Sequence, residues 1–140
     1  MVARANSPIG RLASEGVTHV VNCRANVETL LSQDLAVERA LFGRARVARA
    51  PMWDTGGRKH PRRWSDAAHF AVRVLSEDAA ARVLIHCKAG SHRSVLVAYA
   101  VLRLRGYSAD EAASLILCHR AEAELLPAYQ ASVEDWIRGD

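Results

Sequence analysis

The chain has 140 residues, 50% hydrophobic and 24% charged, which is the length and balance of one globular domain and not of a disordered chain. Its longest apolar runs, Val83-Leu84-Ile85 and Val95 to Leu102, stop well short of the roughly 18 residues a membrane span needs, and Met1 to Asn6 carries no signal-peptide core. The net charge of +4 comes almost wholly from arginine, and Cys23, Cys87 and Cys118 form neither a CxxC pair nor a zinc spacing, so a disulfide framework and a structural metal are not expected and a reducing, cytoplasmic setting is.

Ser7 to Gly16 reads as a short helix, with serine at the N-cap, proline in the first turn and glycine past the end. Val17 to Asn22 is β-branched and bounded by a turn, the pattern of a buried strand. Ser32 caps a helix through Phe42 that Gly43 stops, and Arg46 to Ala50 alternates like a strand. Asp54 to Arg63 is a loop with Gly56-Gly57, Pro61 and a dense set of bases. Ser65 to Ala80 has helical spacing at Ala68, Ala71, Val72, Leu75 and Ala79. Arg82 to His86 is a short buried strand, and Ser94 to Arg105 is a largely apolar helix closed by Gly106. Ser108 to Glu111 has the form of a capping box and opens a helix to about Ala121, while Pro127 starts a last helix ending near Ile137.

Alternating elements of this kind favour an α/β fold with a mainly parallel central sheet flanked by helices. Ligands in such sheets bind at the carboxyl ends of the strands, which points to the loop after Val83 to His86.

That loop is His86-Cys87-Lys88-Ala89-Gly90-Ser91-His92-Arg93-Ser94. It leaves a strand and enters a helix, so its backbone amides converge where an anion is favoured. The same dipole and Arg93 are expected to favour the Cys87 thiolate, the reactive form of cysteine. Arg93, six residues after Cys87, can fold back and hold two oxygens of a phosphoryl group. Gly90 lets the chain turn without a side chain in the cradle, and the Ser94 hydroxyl can stabilise the sulfur as it leaves.

His-Cys, five residues, Arg-Ser resembles the signature of the cysteine-dependent protein tyrosine phosphatase superfamily, in a form similar to the dual-specificity branch. The resemblance implies a dual-specificity phosphatase-like fold over roughly residues 8 to 137, with the signature loop between a strand and a helix. It implies a general-acid aspartate on an upstream loop, where Asp54 lies 33 positions before Cys87. Gly16 to Asn22 looks like the family's early glycine-plus-strand segment, and Arg120, Pro127 and Tyr129 are similar to its closing helices. Family members carry another strand before the first helix, and this chain is expected to start too late to supply all of it. Asn26 to Arg49 matches no part of the pattern.

The reaction implied is hydrolysis of a phosphomonoester through a phosphocysteine, foremost of phosphotyrosine, phosphoserine or phosphothreonine in protein, alternatively of a phosphoinositide or other non-protein ester. Cys87 is the nucleophile, Asp54 the acid and then the base, and Arg93 with the amides of Lys88, Ala89, Gly90, Ser91 and His92 binds the equatorial oxygens. His86 orients the loop by fixing the cysteine backbone. No metal and no cofactor are called for, and the expected protein is a monomer whose partner is its phosphorylated substrate and not nucleic acid.

Arg58-Lys59-His60-Pro61-Arg62-Arg63 reads equally well as a basic rim for a polyanionic substrate or as a solvated loop. Some lipid-directed relatives protect the nucleophile with a cysteine placed like Cys23, which implies a Cys23–Cys87 disulfide; a packed small hydrophobe is the favoured reading. Cys118 is read as core, Trp53 as packing beside Asp54, His60 as a loop side chain and Arg120 as structural. The rivals are a rhodanese-like sulfurtransferase, disfavoured by Arg93, Ser94 and Asp54, and a catalytically dead phosphate-binding module, disfavoured by the presence of Cys87. A low-molecular-weight phosphatase fits badly because its signature lies near the amino terminus.

Overall fold

The computed structural model describes residues 13–88 and 91–139, and Val2 and Ala3 by their backbone. Its strands are β1 (Val2–Ala3), β2 (His19–Asn22), β3 (Val47–Arg49) and β4 (Val83–His86). They form one parallel sheet in the order β1-β4-β2-β3, with Val20 opposite Leu84 and Val47, and Asn22 opposite His86 and Arg49. The helices are α1 (Asn26–Ser32), α2 (Asp34–Phe42), α3 (Ser65–Glu77), α4 (Arg93–Leu104), α5 (Ala109–His119) and α6 (Pro127–Arg138).

Every residue of β4 is buried, as expected of a parallel strand covered on both faces. Side chains alternate along it: Val83 and Ile85 join the main core with Val21, Ala68, Ala71, Leu96 and Tyr99, whereas Leu84 packs with Val17 and Phe42. The core is built around α4, in which all nine residues from Arg93 to Val101 are buried. It packs against α3, α5 and α6, which explains why its sequence is apolar all round. Each fully buried valine or leucine there contributes about 1.5–3 kcal/mol.

The capping box at Ser108 forms as expected, with Ser108 Oγ accepting from Glu111 N and Glu111 Oε1 accepting from Ser108 N. Gly43 and Gly106 end α2 and α4 at φ of 88° and 101°, a region in which a side chain is strained.

Several boundaries differ from the sequence reading. The Val17–Asn22 strand begins at His19, because Thr18 turns its backbone N–H and hydroxyl onto Arg82 O. The Ser65–Ala80 helix stops at Glu77, where Asp78 Oδ1 accepts from Ala80 N and starts a turn. Ser32 does not open the helix to Phe42. It ends α1, a helix the sequence reading did not assign, and Gln33 at φ 61° separates α1 from α2. The chain was expected to start too late to supply all of an amino-terminal strand; a two-residue strand, Val2–Ala3, pairs with Leu84–Ile85 on the outer edge of β4. The helix expected from Ser7 to Gly16 lies largely outside the described residues; residues 13 and 14 are helical.

Candidate active site

The register that sets Asn22 beside His86 makes the next residues, Cys23 and Cys87, leave adjacent strands together, and Cys23 N donates to His86 O at 2.8 Å. Both cysteines are buried, and no disulfide joins them. Burial, with the neighbouring Cys87, pushes the Cys23 thiol well up, which disfavours its thiolate. Cys87 Sγ lies 3.5 Å from Ser94 Oγ, and Ser94 is buried in the first turn of α4.

Arg93 opens α4 and is buried. Its Nη1 donates to Glu28 Oε1 at 2.5 Å and to Met52 O at 2.8 Å, and Nη2 lies 3.4 Å from Glu28 Oε2. Glu28 also accepts from Ala25 N at 2.8 Å, fixing the start of α1. Burial pushes the Glu28 carboxyl up, but the Arg93 and Ala25 hydrogen bonds outweigh it and hold it below its ordinary value. Arg93 Nε is buried and has no hydrogen-bond partner among the described residues. Arg24 Nε and Arg120 Nε are buried in the same way; of the three, only Arg93 belongs to the signature loop.

Asp54 lies on the loop after β3, near enough for the Arg93 charge to act on its carboxyl. Its Oδ2 lies 2.7 Å from His92 Nδ1, and its Oδ1 accepts from Tyr129 Oη at 2.9 Å. Burial raises its carboxyl, and the His92 and Tyr129 bonds more than reverse this, leaving it below its ordinary value. The loop is tied to α6 by Gly56 N donating to Tyr129 Oη, Lys59 N donating to Ser132 Oγ, and an Arg58–Asp135 ion pair. Lys59 Nζ folds over the Tyr129 ring and donates to Trp53 O and Thr55 Oγ1. Asp66 lies in the first turn of α3.

His86 Nε2 pairs with Glu38 Oε2 at 2.5 Å, which ties the strand end before Cys87 to α2. Asn22 Nδ2 completes the set by donating to Glu38 Oε1 and Asp34 Oδ2. Asp34, Glu38 and His86 offer three possible metal-ligand atoms within 4.8 Å of one another. Asn22 and Arg24 already bond the carboxylates, so the cluster is satisfied as a hydrogen-bond network.

Of the remaining signature residues, Lys88 is exposed, Ser91 O accepts from Glu124 N, and Ala89 and Gly90 lie outside the described residues. Arg120 pairs with Glu122 at 3.6 Å. His60 Nδ1 accepts from Arg62 N at the start of a short turn. Two expectations fail. Cys118 is exposed, not core, because α5 buries only Ala112. Trp53 is 55% exposed and lines an open cavity of about 620 Å³ instead of packing. Val27 and Met52 add to its apolar lining, Lys59, Arg62 and Arg63 line it with positive charge, and no carboxylate among the described residues lines it.

No family model and no curated protein matches the sequence. Solved structures do resemble the fold. A structure of PTPMT1 in complex with PI(5)P has a TM-score of 0.79 at 21% identity, covering 99% of this chain and 88% of that one. Human DUSP28 has a TM-score of 0.70 at 22% identity, over 99% of this chain and 90% of that one. Tk-PTP in its active form has a TM-score of 0.74 at 22% identity, over 96% and 88%. The parallel sheet, the strand–loop–helix around Cys87 and the helices behind it have the dual-specificity phosphatase-like fold of these solved structures.

Proposed function

We propose that this protein is a single-domain phosphatase that hydrolyses phosphomonoesters through a phosphocysteine. The observation that carries the reading is the unsatisfied, buried Nε of Arg93 in a side chain whose other nitrogens Glu28 and Met52 hold. A phosphoryl oxygen supplies the missing acceptor.

In the first step the Cys87 thiolate attacks phosphorus, an S–P bond forms and the P–O bond to the leaving group breaks. Asp54 gives its proton to the departing oxygen. Arg93 and the loop amides from Lys88 to Arg93 take up charge on the equatorial oxygens. In the second step water attacks phosphorus, the Asp54 carboxylate takes its proton, the S–P bond breaks and Ser94 Oγ stabilises the returning sulfur. His92 and Tyr129 orient Asp54 between the two steps.

Phosphotyrosine, phosphoserine or phosphothreonine in protein is one substrate class. A second reading, a phosphoinositide or related non-protein ester, is favoured by the basic and apolar cavity beside the acid loop and by the PI(5)P bound to the similar PTPMT1. We place the protein in the cytoplasm as a monomer, where a nucleophilic thiol stays reduced. No helix of the described residues is long and apolar enough to cross a membrane.

The test is phosphate release from phosphotyrosine, phosphothreonine and phosphoinositide substrates with the Cys87→Ser protein as the blank. Release by the wild type alone supports the assignment. Equal release by Cys87→Ser, or thiosulfate sulfurtransferase activity without phosphatase activity, overturns it.

A further inference from the structure

The helical pair α1–α2 exposes apolar side chains that the fold does not use. Val27, Leu30 and Leu31 follow the i, i+3, i+4 spacing of one helix face, and Leu30 and Leu31 are 70% and 79% exposed. On α2, Val37 and Leu41 repeat the i, i+4 spacing and are also exposed. The α1 face borders the active site, because Val27 and the exposed Trp53 line the same cavity, and Trp53 precedes Asp54. A contiguous exposed apolar surface of this kind marks a contact with another body.

Charge identifies that body. Between Arg24 and Arg63 the chain carries nine arginines and lysines against four acidic residues, an excess larger than the +4 of the whole molecule. The four acids are engaged inside the fold: Glu28 with Arg93, Asp34 with Arg24, Glu38 with His86 and Asp54 with His92. What this segment offers outward is therefore apolar side chains and positive charge. That combination matches an anionic lipid surface, into which leucine and tryptophan insert while arginine and lysine meet the headgroups. A second copy of the chain fits poorly, since it would set two strongly basic segments against each other.

We propose that α1, α2 and the adjoining Trp53 loop dock this protein on anionic membrane surfaces, and that its substrates are phosphomonoester headgroups held in such a surface. The substrate half of this rests on the phosphatase reading; the docking half does not. Docking at Leu30, Leu31 and Trp53 presents the cavity to the headgroup layer, with Asp54 between its lining residues Trp53 and Thr55.

The experiment uses the full chain and vesicles of phosphatidylcholine, with and without phosphatidylserine. Cys87→Ser protein is expected to sediment with the anionic vesicles and not with the neutral ones. The Leu30→Ser/Leu31→Ser double variant, made at exposed positions outside the catalytic machinery, is expected to bind at least about tenfold more weakly, a conservative loss for two inserted leucines. Its hydrolysis of a small soluble aryl phosphate should be unchanged, which also shows that it is folded. A phosphatidylinositol phosphate in anionic vesicles should be hydrolysed faster than its short-chain soluble form, and the double variant should lose that advantage. Wild-type indifference to anionic vesicles, unaltered binding by the double variant, or a self-associated dimer that the double variant disperses overturns the docking. Vesicle binding without hydrolysis of any phosphomonoester retains the docking and overturns the substrate assignment with the phosphatase reading.

Discussion

Glu28 grips the far side of the Arg93 guanidinium, with Oε1 2.5 Å from Nη1, while the same carboxylate caps the first turn of α1 through Ala25 N. One side chain thus couples the start of a helix near the surface to the anion-binding group of the site. With Met52 O on Nη1 as well, Arg93 has little freedom to rotate.

Glu28→Ala removes that grip and should lower kcat/KM on a soluble phosphomonoester by about 10- to 100-fold, the scale of a misplaced positioning group. Vanadate should bind more weakly in parallel, and Glu28→Gln, which keeps one acceptor, should recover part of both losses. Unchanged vanadate affinity in Glu28→Ala would show that Arg93 is placed without it.

The pH dependence should follow Asp54. His92 and Tyr129 hold its carboxyl below the ordinary value against the effect of burial, so the protonated form needed by a poor leaving group is lost as pH rises through that depressed value. Turnover of alkyl phosphates should therefore fall with rising pH from the acid side. Tyr129→Phe deletes one donor to the anion, which raises the carboxyl and moves the decline to higher pH. Asp54→Ala should slow alkyl phosphates by about 100-fold or more and affect aryl phosphates with good leaving groups much less. A Tyr129→Phe profile that moves to lower pH would contradict this assignment.

The same shift acts on stability with a definite sign. A carboxyl lower in the folded than in the unfolded state stabilises the fold above its unfolded value, and this contribution disappears as pH falls through the folded one. Urea unfolding of wild type and Asp54→Asn should differ at neutral pH and converge in acid.

Glu38 should matter to stability more than to chemistry. It is fully buried against His86 and Asn22, and Glu38→Ala leaves both without their acceptor. Removing one member of a buried pair costs about 3–5 kcal/mol. A urea midpoint within error of the wild type would show that the network contributes nothing.

Much of this was readable in the sequence where one local rule dominated. The strand–loop–helix around Cys87 follows from a β-branched run, a glycine and an apolar helix, and α5 from its capping box. Asp54 was picked out by the resemblance, which implies an acid on a loop upstream of Cys87. The partners that hold these groups were not legible, because they arrive through tertiary packing. Glu28 and Glu38 sit in the one stretch without a recognisable pattern, on short helices separated by a left-handed Gln33. Asp34 and Glu38, one helical turn apart on α2, were the available sign that a polar group would be buried there. Tyr129 stood out only as part of a closing helix, since nothing local says that its hydroxyl reaches an aspartate 75 residues away. Cys118 was misread because α5 turns Ala112, Ala113 and Ile116 onto the core and leaves Cys118 exposed, which the apolar spacing alone does not separate.

The central claim is that the Cys87 sulfur carries the phosphoryl group during turnover. Acid-quenching the enzyme during hydrolysis of an aryl phosphate, followed by peptide mass spectrometry, tests this most directly. The account predicts one phosphoryl group on the Cys87 peptide, prolonged in Asp54→Ala and absent from Cys87→Ser, which releases no phosphate. Phosphate release by Cys87→Ser at the wild-type rate, with no phosphoryl group on the Cys87 peptide of either protein, would contradict it.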